Sequence, residues 1–358
     1  MDSSDLLSKI EAVEHSIDLL KAQLEDKQPK ISISNYKSAL QPIKCLFIES
    51  LKLEAHGDRV YSLSWAGGDL AKKFLASVSG DGRVIIWNSY TGNPSCEWVV
   101  KDTNPTLMTC AFEKTTSQLL ATGSFIGKCY IFQIEMNRKK KIEGKNKPLM
   151  AFQAHQGYLS SLSFITPKNL VTCSGDSTVC LWDLPKTDLP VHKFEEHTED
   201  VMTIDTCKAN PYLVLTGSCD KTVKLWDLRQ QNSSGNSYSH QGDVNCVKFL
   251  HDSNNTFLSG SSDGFIRLFD IRALREVGVY NVGRGVEALE VSKSGRIIIC
   301  GTDRGDVMLW DIINEERSLQ NLPGHSDKTT SVELSPDGIH LATSSFDNTV
   351  VLWQHAHT

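Results

Sequence analysis

Apolar and polar residues alternate along most of this chain. Runs such as Arg59–Trp65 (RVYSLSW), Tyr158–Phe164 (YLSSLSF), Asp200–Asp205 (DVMTID) and Asp243–Phe249 (DVNCVKF) put every second side chain on one face. That is the period of a half-buried strand. Gly, Asp, Ser and Asn separate the runs, as tight turns require. The alternation also recurs as a larger unit. DGRVIIWN (Asp81–Asn88), DSTVCLWD (Asp176–Asp183), DKTVKLWD (Asp220–Asp227), DGFIRLFD (Asp263–Asp270) and DNTVVLWQ (Asp347–Gln354) are copies of one segment. IGKCYIFQ (Ile126–Gln133) and RGDVMLWD (Arg304–Asp311) are weaker copies.

The closing aromatics of these copies are Trp87, Phe132, Trp182, Trp226, Phe269, Trp310 and Trp353, at spacings of 45, 50, 44, 43, 41 and 43 residues. Seven copies at this period predict an all-β, seven-bladed WD40 β-propeller with four short strands per blade. The strong copies carry an upstream histidine: His56, His155, His197, His240 and His325. Histidine, turn aspartate, hydroxyl and aromatic together resemble a catalytic triad. Their recurrence in five blades excludes that reading, because an enzyme needs one constellation in one cleft. No P-loop, HExxH or nucleophile elbow is present either. The sets His56/Asp81/Trp87, His155/Asp176/Trp182, His197/Asp220/Trp226, His240/Asp263/Phe269 and His325/Asp347/Trp353 are read as buried structural networks, with no catalytic residue among them. Blades two and six lack the histidine, and Ile126 and Arg304 replace the turn aspartate. Those two blades are expected to hold by packing alone.

The N-terminus follows a different period. Leu6, Ile10, Val13, Ile17, Leu20 and Leu24 are spaced 4, 3, 4, 3, 4, an a/d seam ended by Pro29. So narrow a stripe suits a coiled coil with a second chain better than a helix folded on its own domain. The predicted organisation is a coiled-coil α-helix over 1–30, a linker and closing strand over 31–50, and the propeller over 51–358. The stretch IKCLFIESLKLEAH is expected to complete the last blade and remove a free edge.

Composition narrows the function classes. The 358 residues carry a formal net charge of -6, which disfavours a dedicated nucleic-acid binder. The ten cysteines form no CxxC pair, so core thiols are expected and no metal or cofactor. The first residues lack the pattern of a secretory signal, and no apolar run approaches a membrane span. Asp2 stands where myristoylation needs glycine, and QHAHT offers no prenylation cysteine. Membrane contact is therefore expected only through lipidated partners. The basic connector Asn137–Lys147 (NRKKKIEGKNK) is read as a solvated loop rather than a lipid contact.

Repeat geometry also points to one rim. Positions three and five after the blade histidine are Arg59 and Tyr61, Tyr158 and Ser160, Asp200 and Met202, Asp243 and Asn245, Lys328 and Thr330. A third position, just before the turn aspartate, holds Gly80, Phe125, Gly175, Cys219, Ser262, Asp303 and Phe346. Aromatics, Met and Arg in a mixed polar ring have the composition of an interface hot-spot cluster.

An a/d helix followed by seven WD blades resembles the β subunit of heterotrimeric G proteins. The likeness extends over the whole chain. Its specific stretches include IIWNSYT (Ile85–Thr91), LMTCAF (Leu107–Phe112), HQGYLSSLSF (His155–Phe164), CDKTVKLWD (Cys219–Asp227), IRLFDIRA (Ile266–Ala273) and SKSGR (Ser292–Arg296). The resemblance implies a permanent γ subunit, held through Leu6, Ile10, Val13, Ile17, Leu20 and Leu24. It implies a GDP-bound α subunit on the rim, with effectors and receptors using the same face after α release. The implied residues there are Arg59, Tyr61, Met108, Phe125, Tyr158, Asp200, Met202, Cys219, Asp243, Asn245, Asp303, Lys328 and Phe346. Arg83, Ile85 and Asn93 match positions that meet the α subunit's N-terminal helix. Thr106, Ser262 and Pro94 depart from the family's Trp, Asp and Lys. The implied location is the cytoplasmic face of the plasma membrane and the cytoplasm. The rival reading is another WD40 scaffold, of the kinase-anchor or ubiquitin-ligase-receptor type.

Overall fold

The computed structural model describes residues 47–68, 73–136, 142–144, 147–230, 233–250, 255–313 and 318–356. The predicted seam of Leu6, Ile10, Val13, Ile17, Leu20 and Leu24 lies outside the described residues, as do residues 137–141 and 145–146 of the basic connector.

The alternating runs form seven antiparallel sheets. Blade one shows the pattern, with strands Val60–Trp65, Phe74–Ser79, Arg83–Asn88 and Pro94–Val99 running from the centre outward. The innermost strands of blades two to seven are Leu107–Phe112, Leu159–Thr166, Val201–Thr206, Val244–Phe249, Val286–Val291 and Thr329–Leu334. Each packs on the next, and blade seven packs back on blade one. The outer strand of blade seven comes from the other end of the chain: Phe47–Leu53 pairs antiparallel with Val350–His355. That strand begins inside the expected linker and runs past position 50. Gln320 clamps its first residue, taking the Phe47 N–H at 3.0 Å and donating to its carbonyl at 2.8 Å. In blade two Lys128–Met136 pairs with both Ile142–Gly144, within the connector, and Met150–Gln153.

The core lies between blades. Leu53, Trp65, Leu75, Ile85, Trp87, Val350 and Leu352 form the cluster joining blades seven and one. Burying one such side chain contributes about 1.5–3 kcal/mol. Close approach needs small residues: a Cβ on Gly260 would sit 2.5 Å from Val286 of the next blade. None of the nine described cysteines is in a disulfide, and seven of them are buried.

Four blades carry the full polar network. Histidine Nδ1 faces the turn aspartate at 3.4 Å in blade one, 3.1 Å in blade three, 2.7 Å in blade four and 3.1 Å in blade seven. Nε2 meets Ser77, Thr172, Thr216 or Thr343 at 2.7–2.8 Å. The Trp87, Trp182, Trp226 and Trp353 indoles donate to those same hydroxyls. Each polar atom thus has a partner inside an apolar blade. Asp220 also takes the Thr198 and Thr222 N–H groups and the Thr222 hydroxyl.

Asp220→Ala is expected to cost about 2 kcal/mol at neutral pH, because His197 and Thr222 lose a buried acceptor. Burial pushes the Asp220 pKa up, but bonds from His197 and Thr222 outweigh it and leave the carboxyl well below its usual range. A depressed carboxylate pKa stabilises the fold above the ordinary carboxylate range and loses that effect on acidification. The gap in denaturation midpoint between wild type and variant should therefore narrow as pH falls below about 4. Equal midpoints at pH 7 would sink the argument.

Blades two and six correct the expectation of packing alone. In blade two Lys128 pairs with Asp102 at 2.7 Å, and the Tyr130 hydroxyl donates to the same carboxylate at 2.8 Å. The Lys128 and Tyr130 bonds hold the Asp102 pKa near about 2. In blade six Arg284 pairs with Asp306. Lys128 and Asp306 occupy one strand position with opposite signs, and each finds its counter-charge in the loop leading into the blade. A loop-to-strand ion pair replaces the tetrad. Thr122, which aligns with the tetrad hydroxyls, has no hydrogen-bond partner.

Candidate partner-binding rim

One irregularity recurs in all seven blades. The pairing of innermost and second strands slips by one residue at Tyr61, Met108, Ser160, Met202, Asn245, Glu287 and Thr330. A β-bulge releases one residue from the ladder and re-aims its side chain. The seven bulged residues therefore form a ring at one end of the channel. Beside each bulge the same backbone bond recurs. The N–H groups of Gly80, Phe125, Gly175, Cys219, Ser262, Asp303 and Phe346 donate to the carbonyls of Arg59, Thr106, Tyr158, Asp200, Asp243, Gly285 and Lys328, at 2.9–3.0 Å. Two of the three rim positions read from the repeat, the one three after the histidine and the one before the turn aspartate, are thus joined by hydrogen bonds that do not depend on side-chain identity.

The side chains link neighbouring blades in two aromatic nests. At the junction of blades seven and one, Tyr61 meets Phe346 edge-on with centroids 5.3 Å apart. The Arg59 guanidinium lies over that phenyl ring at 4.8 Å and the Lys328 ammonium at 5.9 Å. Lys328 also pairs with Glu287 of blade six at 2.7 Å. Across blades two to four, Phe125 stacks on Tyr158 at 6.1 Å, with ring planes 10° apart. The Tyr158 hydroxyl donates to Asp200 at 2.7 Å and lies 3.5 Å from the Met202 sulfur. Tyr158 lies against Gly175, where a Cβ would come within 2.3 Å of its ring. Phe125 is 49% exposed. Arg59, Asp303 and Ser262 are exposed too, while Met108, Asp243 and Cys219 are half-buried.

Three of the bulged side chains serve the ring itself. Thr330 donates to the Val60 carbonyl at 2.7 Å and Asn245 to the Val286 carbonyl at 3.1 Å. Ser160 donates to the Val201 carbonyl. Asn245 is thus committed to the junction of blades five and six. Burial, with Asp243 and Asp200 nearby, pushes the Cys219 thiol up to about 11, which disfavours the thiolate. The repeat reading missed Glu287 and Gly285, because blade six lacks the histidine from which positions were counted. Aligning Val286 with Val244 and Val201 recovers both.

On the side of blade one, the Arg83 guanidinium donates to the Ala55 carbonyl at 3.0 Å and pairs with Glu97 at 3.2 Å. Asn93 is exposed. Ile85 is 1% exposed and packs in the cluster between blades seven and one, so it offers no surface there. Its strand is covered on both faces, which simple alternation does not reveal. No group of metal-ligating side chains occurs among the described residues.

A family profile described as G protein beta WD-40 repeat protein matches residues 7–354. The guanine nucleotide-binding protein subunit beta-1 of Nicotiana tabacum is 35% identical, covering 84% of this chain and 82% of its own length. The subunit beta of Solanum tuberosum is 34% identical over the same shares. That of Arabidopsis thaliana is 30% identical, covering 99% of this chain and 98% of its own.

Proposed function

The chain belongs to the G protein beta WD-40 repeat family and has the role of a heterotrimeric G-protein β subunit, and we propose that its bulged rim binds the GDP-bound α subunit and then effectors. Family membership makes it a binding scaffold rather than an enzyme. The rim's two preorganised aromatic nests carry the reading. Their rings are already immobilised by stacking, cation contacts and the Tyr158–Asp200 bond, so little side-chain entropy remains to be lost on binding. A γ subunit pairs permanently with the 1–30 seam. Arg83 and Asn93 meet the α subunit's N-terminal helix beside blade one.

The switch belongs to the partner. A surface welded by seven repeated backbone bonds presents one geometry, and a ligand's differential affinity alone shifts occupancy. GDP and GTP forms of the α subunit then compete differently with effectors for the same rim. No helix among the described residues is long and apolar enough to cross a membrane. A lipid anchor on the γ subunit would hold the dimer at the cytoplasmic face of the plasma membrane.

The test is a pull-down of the tagged full-length chain from its native cells, with the beads divided between two washes. One wash contains GDP, the other a non-hydrolysable GTP analogue with Mg²⁺. A small helical polypeptide is expected in both, and a GTPase released only by the analogue. Partners that ignore nucleotide would reduce the chain to a WD scaffold of another kind.

A further inference from the structure

Blade five keeps the histidine and the turn aspartate but not the short hydrogen bond between them. His240 Nδ1 lies 3.8 Å from the Asp263 carboxylate, whereas the other four histidines lie within hydrogen-bond reach of theirs. Arg267 stands between the two groups. Its Nη1 lies 2.7 Å from Asp263 Oδ2 and 2.5 Å from His240 Nδ1. The equivalent strand position holds Ile85, Cys180, Lys224 and Val351 in the tetrad blades.

Donor and acceptor rules then settle the protons. A carboxylate only accepts, so in blades one, three, four and seven Nδ1 carries the hydrogen and Nε2 accepts from the hydroxyl. That hydroxyl in turn accepts from the indole. A guanidinium only donates, so in blade five Nδ1 must be the bare nitrogen. Nε2–H then donates to Ser259 Oγ, 2.7 Å away. Ser259 is free to accept there, because Phe269 has no N–H to compete for it. Three substitutions thus agree with one another: Arg267 at the strand position, Phe269 for the indole, and Phe265 where blades three, four and seven have Thr178, Thr222 and Thr349.

We propose that blade five runs its polar chain in reverse, with Arg267 donating to Nδ1 of His240 and Nε2–H donating to Ser259. Arg267, rather than the histidine, is then the positioning residue that fixes Asp263. The Asp263 carboxylate takes the N–H groups of Gln241 and Phe265, at 3.1 Å and 3.0 Å. Through Gln241 it anchors the loop that carries Asp243 and Asn245 to the rim. Arg267 also reaches Glu276 at 3.2 Å, which ties this anchor to the outer strand. Burial, and after it the Arg267 charge, lowers the His240 pKa to about 4, so the ring is neutral at neutral pH, as a tautomer assignment requires.

The experiment is nitrogen NMR of the full-length chain labelled only at histidine, reading which ring nitrogen carries hydrogen. His240→Gln assigns the signal. His240 is expected to show a bare Nδ1, whereas His56, His155, His197 and His325 show a bare Nε2. In Arg267→Met, His240 should convert to the pattern of the other four, with shifted amides at Gln241, Asp243 and Ser262. Arg267→Lys should retain the reversed pattern. An unmodified chain in which His240 matches the other four overturns the proposal, and that reading needs no variant to fold. An Arg267→Met chain that folds and keeps the reversed tautomer also overturns it.

Discussion

Lys248→Met lowers the stability of the ring by about 2–3 kcal/mol, less than the full cost of breaking a buried ion pair, because the Lys248 side chain is 25% exposed while Glu290 is buried. Lys248 sits at the end of the channel away from the bulges. The equivalent residues of the seven inner strands are Ser64, Ala111, Ser163, Asp205, Lys248, Glu290 and Glu333. Charges therefore fill one arc of the channel, over blades four to seven, and small residues the other. Lys248 lies 3.1 Å from Glu290, itself only 4% exposed. Burial lowers the Lys248 pKa, but Glu290 and Asp205 outweigh it and raise the ammonium above its usual range. A raised lysine pKa stabilises the fold at every pH below the ordinary lysine value, so the full effect is present at pH 7. Burial already raises the pKa of Asp205, whose carboxylate takes the Phe249 N–H of the next blade at 2.8 Å. Without Lys248, Asp205 and Glu290 lose the cation that pairs with Glu290, and Lys208 is left as the cation near both. Equilibrium denaturation measures the loss. Lys248→Met with Glu290→Met should recover part of it, because Glu290 no longer sits without its counter-charge while Asp205 still lacks Lys248. A wild-type midpoint for Lys248→Met alone would mean that water screens this arc.

The opposite seam shows how the same ring is closed. Glu333 of blade seven takes the Trp65 N–H of blade one at 2.6 Å and pairs with Lys114 of blade two at 2.8 Å. Three blades meet at one carboxylate where the two ends of the propeller join. This polar clasp supplements the strand Phe47–Leu53.

Period and punctuation made the blades legible in the sequence. Trp87, Trp182, Trp226 and Trp353, with their histidines and aspartates, marked positions that each need the others, so a single chain displayed the rule several times. The rim was legible wherever a histidine supplied the count, as at Tyr61, Tyr158 and Met202. It was not legible in blade six, where Val282 replaces the histidine and Gly285 and Glu287 passed unnoticed. Bulges leave no mark in an alternating pattern, since they add a residue to the pairing without changing residue type. Long-range pairs were invisible for another reason: Lys248 with Glu290, and Lys328 with Glu287, each join residues of different blades. Arg267 shows the limit of repeat reasoning. Asp263 and His240 fit the consensus by position, yet a residue outside the consensus decides how they bond.

Tyr61→Ala and Met202→Ala should each weaken binding of the GDP-bound α subunit by about 30-fold or more, the effect of losing a hot spot of about 2 kcal/mol. The two residues probe different nests. Tyr61 braces Phe346 beneath Arg59 and Lys328, so its removal frees the phenyl ring on which the two cations rest. Met202 lies under the Tyr158 hydroxyl, at the end of the stack that begins with Phe125. Neither side chain belongs to a tetrad, an ion pair or an inter-blade carbonyl bond, so the denaturation midpoints should remain near wild type. Asn245→Ala supplies the contrast. Its amide serves the Val286 carbonyl, so its main effect should fall on stability and only secondarily on affinity. Titration of the purified dimer with GDP-loaded α subunit reads all three. If Tyr61→Ala and Met202→Ala both retain wild-type affinity, the partner docks elsewhere and the bulged ring is only a means of closing the propeller. If only one loses affinity, that nest anchors the α subunit, and the other is left to serve effectors that arrive after its release.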